Sequence, residues 1–319
     1  MKNPQRLSVL ALALASAALP AHAQVEPGSA TGWWQQALTT WQDGVTRYQV
    51  NIENDSLLLK RDDGMYTSGA RYSVQSWQSD ARRALSSEVH LTHDFYTPLD
   101  IKLPPAMIPL REHPYAAWLA IGASFSEWQS NGSMYSLGID VGCIGPCAAG
   151  EHVQKGLHRL INQPLPQGWS RQIRNEWGVI AQAQWAGERW AISQRVDVQA
   201  QAQLRLGNIN TDANLGGLMR LGSLNQLPNH EASFAYLQAH VRAVGYNAAM
   251  QGGYFSKNNP HTVKPKRAYG QIELGWQWQG PEWGGKLGFV RRTNTIADLP
   301  NSLGAQNYAI VQLSYTPGK

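Results

Sequence analysis

Hydrophobic and polar residues alternate regularly along several segments of the chain. Over 196–206 the side chains of Val196, Val198 and Ala200 fall on one side, and polar residues such as Asp197 and Gln199 fall on the other. A period of two over this length predicts a β-strand that can span a bilayer when it is tilted. The same alternation recurs over 237–243, 272–278 and 309–315.

Eight further segments show strand patterns of similar length. They lie near 46–55, 66–77, 86–95, 115–127, 134–142, 174–185, 213–222 and 284–293. With the four above, the chain has about twelve strands, and the even number suits a single-chain barrel. We therefore predict an all-β fold, an antiparallel transmembrane β-barrel of about twelve strands. A soluble β-sandwich would alternate in a similar way and remains the competing interpretation.

One segment departs from the strand period. Over 148–162, Val153, Leu157, Leu160 and Ile161 recur at helical spacing, and prolines flank the segment. Gln154 and His158 lie four residues apart, on one face of this helix. We predict a short helix in a loop near the barrel mouth, with its polar face toward a site.

The N-terminus has the three parts of a secretory signal peptide. Lys2 and Arg6 precede an uncharged apolar stretch, and Ala21 and Ala23 form a small-residue cleavage site. We predict that residues 1–23 are the signal peptide and that 24–319 form a single outer-membrane β-barrel domain. Localisation in the bacterial outer membrane follows from that prediction.

The amino-acid composition is consistent with a membrane barrel but is not specific to one. Charged residues make up 15% of the chain, while Trp (13) and Tyr (12) are abundant, as in barrels with aromatic girdles. The net charge of +5 comes without a run of Lys or Arg, so we expect no nucleic-acid partner. A mildly basic rim is compatible with an anionic lipid headgroup.

The two cysteines are close together, Cys143 and Cys147. An exported protein meets an oxidising compartment, and the intervening Gly145-Pro146 can form the tight turn that a disulfide would need. Two unpaired thiols are the alternative, and the sequence leaves both open. A metal site here is disfavoured, because no third ligand lies at a fitting spacing.

A series of short motifs between about 45 and 185 resembles a known family. In chain order they are Glu53-Asn-Asp-Ser56, Asp62-Asp-Gly-Met-Tyr-Thr-Ser-Gly69, Asp94-Phe-Tyr-Thr-Pro98, Pro114-Tyr-Ala-Ala-Trp118, Gly145-Pro146, Val153-Gln-Lys-Gly-Leu-His158, Gly168-Trp169 and Asn175-Glu176. Each motif alone is weak, but their common order and similar gaps are specific. The chain thus resembles the LpxR-type lipid A deacylases, while its C-terminal third matches only as barrel strands.

The resemblance implies a fold, a reaction and a substrate. The fold is a twelve-stranded outer-membrane barrel with its site at the outer-leaflet end, between lumen and lipid. The reaction is calcium-dependent hydrolysis of the ester that holds the 3'-acyloxyacyl group of lipid A, so the partners would be lipopolysaccharide and outer-membrane lipid. We expect Ca²⁺ as the cofactor and a monomer as the working unit.

Six positions carry over from the family motifs: Asn54, Asp55, Thr67, Lys102, Gln154 and His158. Matching Lys102 requires a one-residue gap after the Tyr-Thr-Pro motif. Ester hydrolysis needs a base that takes a proton from water, and a neutral His suits this near pH 7. We therefore assign the base to His158, the metal contact to Asp55, and oxyanion stabilisation to Ca²⁺, Lys102 or the Asn54 amide.

These positions also have ordinary structural explanations. Asn54 and Asp55 at a strand end are typical of a turn, Thr67 of a strand start, and His158 of a solvated helix residue. His113 stands where the family tends to have Arg, which could alter a headgroup or phosphate contact. Two further functions stay open: an esterase acting on phospholipid, and a porin-like barrel without catalysis.

Overall fold

The computed structural model describes residues 29–58 and 64–318, with side chains over 32–57 and 64–318. The predicted signal peptide lies outside the described residues. All twelve predicted strands are present. They are β1 (Val45–Asn54), β2 (Met65–Ser79), β3 (Arg83–Thr97), β4 (Ala116–Gln129), β5 (Met134–Ile144), β6 (Glu176–Ala186), β8 (Val196–Gly207), β9 (Asn210–Ser223), β10 (Ala232–Asn247), β11 (Ala268–Gln279), β12 (Trp283–Arg292) and β13 (Gln306–Tyr315).

These twelve strands close into an antiparallel barrel, which confirms the predicted fold class. Each strand pairs with its sequence neighbour, β6 pairs with β8, and β1 pairs with β13 to complete the ring. A thirteenth strand, β7 (Trp190–Ser193), extends one hairpin and was not predicted. The β1–β13 seam runs from Tyr48 opposite Tyr315 to Asn54 opposite Ala309.

The alternation in the sequence places apolar residues outside and polar residues inside. On β5, Leu137, Ile139 and Val141 are exposed, whereas Asp140 between them is buried. Since successive residues of a strand face opposite sides of the sheet, Asp140 points into the lumen and its neighbours point to lipid. The outward surface is therefore a continuous apolar wall.

The lumen contains several buried ion pairs. Arg220 Nε donates to Asp197 Oδ1 at 2.9 Å, and both side chains are almost fully buried. Farther along the barrel, Lys286 Nζ lies 2.7 Å from Glu273 Oε1. Two cavities of about 490 and 270 Å³ lie within this polar interior.

The two ends of the barrel differ in the length of their connections. Short turns at 80–82, 130–133 and 280–282 close one end, and long loops at 98–115, 145–175 and 248–267 close the other. Outer-membrane barrels have short turns on the periplasmic side and longer loops outside. The first strand accordingly starts at the periplasmic end and reaches the external end at Asn54.

Four α-helices accompany the barrel in the described part of the chain. They are α1 (Ser29–Asp43), α2 (Gly150–Leu160), α3 (Ala248–Gln251) and α4 (Asn301–Gly304). The second confirms the predicted helix over 148–162, while the first was not predicted. Among the described residues, no helix is both long and apolar enough to cross a membrane.

Two apolar clusters stabilise the external end on opposite sides of the wall. Inside, Trp118 and Ile180 pack with the α3 residues Ala248 and Ala249. Outside, the following side chains pack together under loop 98–115 and the segment around α2: Phe95, Ile108, Tyr115, Ala117, Ala148 and Trp169. The outer cluster holds the elements of the candidate site.

Candidate functional site

A tight, cross-linked turn leads from β5 into α2. Cys143 and Cys147 form a disulfide, with their Cα atoms 6.0 Å apart, which decides the alternative that the sequence left open. Gly145 has a φ of 99°, a conformation that favours glycine. Asn175 Oδ1 accepts a hydrogen bond of 2.7 Å from the backbone N–H of Cys147. The start of α2 is thus fixed to the end of β5 and to the approach to β6.

Helix α2 packs against the outer face of the barrel wall. A Cβ atom at Gly150 would collide with Ala117 on β4 and with the indole of Trp169. Ala117 is fully buried, although it has the outward orientation of the exposed Ile121 on the same strand. The helix therefore lies near the barrel mouth, as predicted, but outside the wall rather than over the lumen.

The predicted polar pair of α2 is buried. Gln154 and His158 are both buried, and Gln154 Oε1 accepts a 2.9 Å hydrogen bond from Trp169 Nε1. His158 Nδ1 lies 2.6 Å from the carbonyl oxygen of Pro164. Because a carbonyl only accepts, Nδ1 carries the proton, and in the neutral ring the lone pair is on Nε2.

The apolar residues of α2 and of its C-terminal cap, Ile161, are exposed instead. Val153, Leu157, Leu160 and Ile161 all lie at the surface, and Leu160 is 83% exposed. The stripe lies beside the buried face, and the polar His152 and Arg159 lie on the side away from the wall. An exposed apolar stripe next to a polar side is typical of a helix at a lipid surface. This stripe continues the lipid-facing surface of the barrel at the external end.

The end of β1 forms a hydrogen-bonded turn. Asn54 Oδ1 accepts from the backbone N–H and the hydroxyl of Ser56, at 2.6 and 2.5 Å. Asp55 is buried, and its Oδ2 accepts a 2.9 Å hydrogen bond from the N–H of Gly64. Asn54 therefore stabilises a turn, which is the structural role that the sequence also allowed for it.

Thr67 is joined both to this turn and to the next strand. Its carbonyl oxygen accepts from the N–H of Asp55 at 3.4 Å. Its hydroxyl lies 2.7 Å from the hydroxyl of Thr97 at the end of β3, and both threonines are buried. A register shift between Tyr66 and Ser68 brings Thr67 to this position. The structure thus brings Asp55 and Thr67 together.

Lys102 lies on the loop that covers the outer cluster. Its side chain is exposed, and its neighbour Ile101 is buried. The Ile101 carbonyl accepts from the N–H of Gln167 at 2.8 Å and from the Tyr115 hydroxyl at 3.3 Å. Lys102 is therefore tied, through its own loop, to the segment that follows α2.

The six predicted side chains consequently lie along the external ends of β1 to β4 and on the buried face of α2. Their catalytic roles stay predictions. Two positions that support them were not assigned from the sequence, Trp169 and Thr97. A buried indole N–H needs an acceptor, which would have suggested a partner for Trp169. Thr97 becomes relevant only through strand pairing.

His113 occupies a different place from the candidate site. It is buried, stacks on Tyr96 with ring centroids 5.1 Å apart, and donates from Nδ1 to the carbonyl of Pro114 at 2.7 Å. Burial lowers the pKa of His113 to about 4, and the nearby His261 acts in the same direction. His113 also lines the larger lumen cavity.

The residues near Asp55 suit a hard cation in type but offer few charges. Among residues 29–58 and 64–318, no three His, Cys, Asp or Glu side chains are grouped as a metal site. Calcium accepts amide and backbone oxygens together with carboxylates. The buried Asp55 carboxylate, the Asn54 amide oxygen and main-chain oxygens of this turn are ligands of that kind.

The chain is similar to one known protein family and to solved β-barrel structures. The model of the family described as outer membrane protein LpxR matches residues 9–316. LpxR from Salmonella typhimurium is 19% identical, with a TM-score of 0.71 over 85% of this chain and 99% of that one. At this identity the structural likeness shows the fold. No curated protein sequence matches the chain.

More distant barrels are also similar. The β domain of the Bordetella autotransporter BrkA is 9% identical, with a TM-score of 0.48 over 85% of this chain and 98% of that one. The translocator domain of NalP from Neisseria meningitidis is 11% identical, with a TM-score of 0.41 over 89% and 94% of the two chains. Both TM-scores are below 0.5.

Proposed function

Because this chain belongs to the family of outer membrane protein LpxR, we propose that it hydrolyses the ester that holds the 3'-acyloxyacyl group of lipid A. Membership of this family implies an outer-membrane lipid A deacylase. One observation carries the proposal for this chain. On the outer wall of the barrel, a helix buries a Gln–His pair against the protein and exposes an apolar stripe beside that pair.

The position of this pair supports a substrate that resides in the membrane. A lumenal site would serve a solute, whereas Gln154 and His158 lie on the outward side of the wall at the external end. The exposed stripe of α2 would contact acyl chains of the outer leaflet. An acyl ester at the boundary between headgroup and hydrocarbon could then approach the site laterally from the bilayer.

In the proposed reaction, His158 acts as the general base. With its Nδ1–H donated to Pro164, Nε2 takes a proton from a water molecule. The resulting hydroxide attacks the ester carbonyl carbon and forms a tetrahedral intermediate. Collapse of the intermediate breaks the bond between the acyl carbon and the sugar oxygen. The His158 imidazolium returns its proton to that oxygen, so the products are a carboxylic acid and the free hydroxyl.

Several donors of this chain suit the developing oxyanion. Gln154 is fixed through its Oε1 to Trp169, while its buried Nε2 has no hydrogen-bond partner among the described residues. An unsatisfied buried donor is costly unless a ligand uses it. The Asn54 amide and the exposed Lys102 ammonium supply further donors at the rim.

Calcium would bind at the β1 turn. Asp55, with the Asn54 amide oxygen and neighbouring main-chain oxygens, would hold the ion. When bound there, Ca²⁺ would polarise the ester carbonyl and offset negative charge on it. Thr67 would position this turn through its contact with Asp55.

The experiment is mass spectrometry of lipid A after incubation with the purified protein in detergent, with calcium or with a chelator. We expect loss of the mass of one acyloxyacyl group with calcium only. His158→Ala should lower the rate by roughly 10²–10⁴, the usual contribution of a general base. The matched control is His152→Ala, because His152 lies on the same helix but is exposed.

Other outcomes discriminate between the candidate functions. Unchanged lipid A in the presence of folded protein would refute the proposal. Release of fatty acid from added phospholipid would favour the alternative function, an esterase that acts on phospholipid. Full activity of the His158 variant would reject the assignment of the base while leaving the substrate intact. Asp55→Asn tests the metal contact separately, since its activity should then require more calcium.

A further inference from the structure

Helix α1 lies on the outside of the barrel and crosses three strands. The rings of Trp33 and Phe125 meet edge to face, with centroids 4.7 Å apart. The Ala37 carbonyl accepts from Ser87 Oγ at 2.7 Å, and the Thr40 carbonyl accepts from Ser76 Oγ at 2.6 Å. These contacts place successive turns of α1 on β4, β3 and β2.

The three strand residues form one row across the sheet. Ser76 is opposite Ser87, and Ser87 is opposite Phe125. Ser87 shares its outward orientation with Val89 and Leu91, which are exposed. The helix therefore lies along a single level of the outer wall.

This level is the edge of the apolar band at the periplasmic end. Toward the external end, the next outward residues are apolar and exposed, including Val74 and Val89. Toward the short turns, the next row contains Gln78 and Glu127 on either side of the buried Leu85. The helix thus separates an apolar wall from a polar rim.

Besides its barrel side, α1 has two exposed faces of opposite character. Trp34, Leu38 and Trp41 share one face, and all three are exposed. Gln35, Thr39 and Gln42 share the other and are also exposed. The Thr39 carbonyl accepts a hydrogen bond of 3.4 Å from Gln78 Nε2, on the rim side. A helix with two such faces matches a boundary between hydrocarbon and water.

We propose that α1 lies in the periplasmic leaflet of the outer membrane, at the level of the phospholipid headgroups. Trp34, Leu38 and Trp41 face the acyl chains, and the Gln35 face meets periplasmic water. Tryptophan favours this level of a bilayer. The occupant of the exposed apolar face is the phospholipid surface itself, continuous with the lipid around the barrel. This inference does not depend on the proposed deacylase activity.

The connection to β1 keeps α1 close to the wall. A Cβ atom at Gly44 would collide with Ser76 Oγ and the Thr40 carbonyl, so the chain passes from helix to strand in direct contact with β2. The helix therefore cannot move far from the lipid boundary while the barrel is intact.

Spin labels in the full-length protein test the proposal. Both native cysteines are in the disulfide, so Leu38→Cys, Gln35→Cys and Val89→Cys each give one site for labelling. The proteins are reconstituted in phosphatidylethanolamine and phosphatidylglycerol vesicles. Relaxation by oxygen, which concentrates in hydrocarbon, is compared with relaxation by a water-soluble nickel chelate.

The label at 38 should resemble the one at 89, with oxygen accessibility several-fold above that at 35 and chelate accessibility several-fold below it. Equal chelate access at 38 and 35 would place α1 in water and overturn the proposal. Protection of the label at 38 from both reagents would overturn it in favour of a protein partner or a second copy. Urea-induced unfolding of each labelled protein checks that the barrel is intact.

Discussion

The indole of Trp169 donates a hydrogen bond of 2.9 Å to Oε1 of Gln154, and both side chains are buried between α2 and the barrel wall. This hydrogen bond holds against the wall the helix face that also carries His158. Disturbing either partner should therefore affect the stability of the site and its geometry together.

Gln154→Leu retains the side-chain volume but removes the acceptor of the Trp169 indole. An unsatisfied buried N–H should lower the free energy of unfolding by about 1–3 kcal/mol. Urea unfolding in detergent, followed by fluorescence, measures the change. Trp169→Phe and the double variant complete a cycle, in which the double variant should lose less than the two single variants together. Strict additivity would show that the contact contributes no coupling.

The disulfide between Cys143 and Cys147 should hold the entry to α2. Closing so short a loop contributes roughly 2 kcal/mol in the chain-entropy model. Replacing both cysteines with Ala should lower the free energy of unfolding by that order and raise hydrogen exchange over Gly150–Leu160, while exchange in β8 to β11 stays unchanged. Equal exchange in α2 with and without the disulfide would contradict this role.

His113 should make the protein less stable in acid. Its pKa is lowered to about 4 by burial, whereas in the unfolded chain it is about 6.5. The unfolded state therefore binds the proton first, and stability is fully present above pH 6.5 and decreases as pH falls toward 4. The total loss approaches about 3 kcal/mol, since one pKa unit corresponds to about 1.4 kcal/mol.

The test compares urea unfolding at pH 7 and pH 5 for wild type and His113→Phe. The variant should show a smaller loss at pH 5. The pKa of His261 is also lowered by its burial, so His261→Phe and the double variant separate the two histidines. If His113→Phe lost as much unfolding free energy between pH 7 and pH 5 as the wild type, another group would be responsible for the acid sensitivity.

The ion pairs in the lumen should prevent porin-like conduction. Arg220 and Asp197 are buried together across neighbouring strands, and Lys286 pairs with Glu273. We expect far smaller currents in planar bilayers than those of a general porin. Asp197→Asn leaves Arg220 without its full counter-charge and should reduce stability by about 3–5 kcal/mol. Single-channel currents of porin size from the wild type would favour the alternative function, a porin-like barrel without catalysis.

The strands could be predicted because their signal is local. Alternation such as that of 196–206 is visible within one segment, and it corresponds to β8. Helix α1 was missed because Trp33 and Ala37 face the barrel while Trp34, Leu38 and Trp41 face outward. Because apolar residues lie on two adjacent faces, no single apolar stripe at helical spacing stands out in the sequence.

For the candidate site, motifs gave the residues but not their arrangement. The contact between Thr67 and Thr97 depends on a register shift between β2 and β3, which no local pattern encodes. In soluble proteins the apolar residues of a surface helix usually pack against the protein. In α2, Leu157 and Leu160 are exposed instead. Only the position of the helix relative to the membrane determines that direction.

The β1–β13 seam makes site assembly a late event in biogenesis. Asn54 lies opposite Ala309, so the strand that presents Asn54 and Asp55 is laterally complete only when the last strand has arrived. A contact between such distant parts of the chain carries a large loop-closure entropy and forms slowly. A chain still in transit through the periplasm therefore lacks the pairing of Asn54 with the last strand, and the proposed activity would be restricted to barrels already closed in the outer membrane.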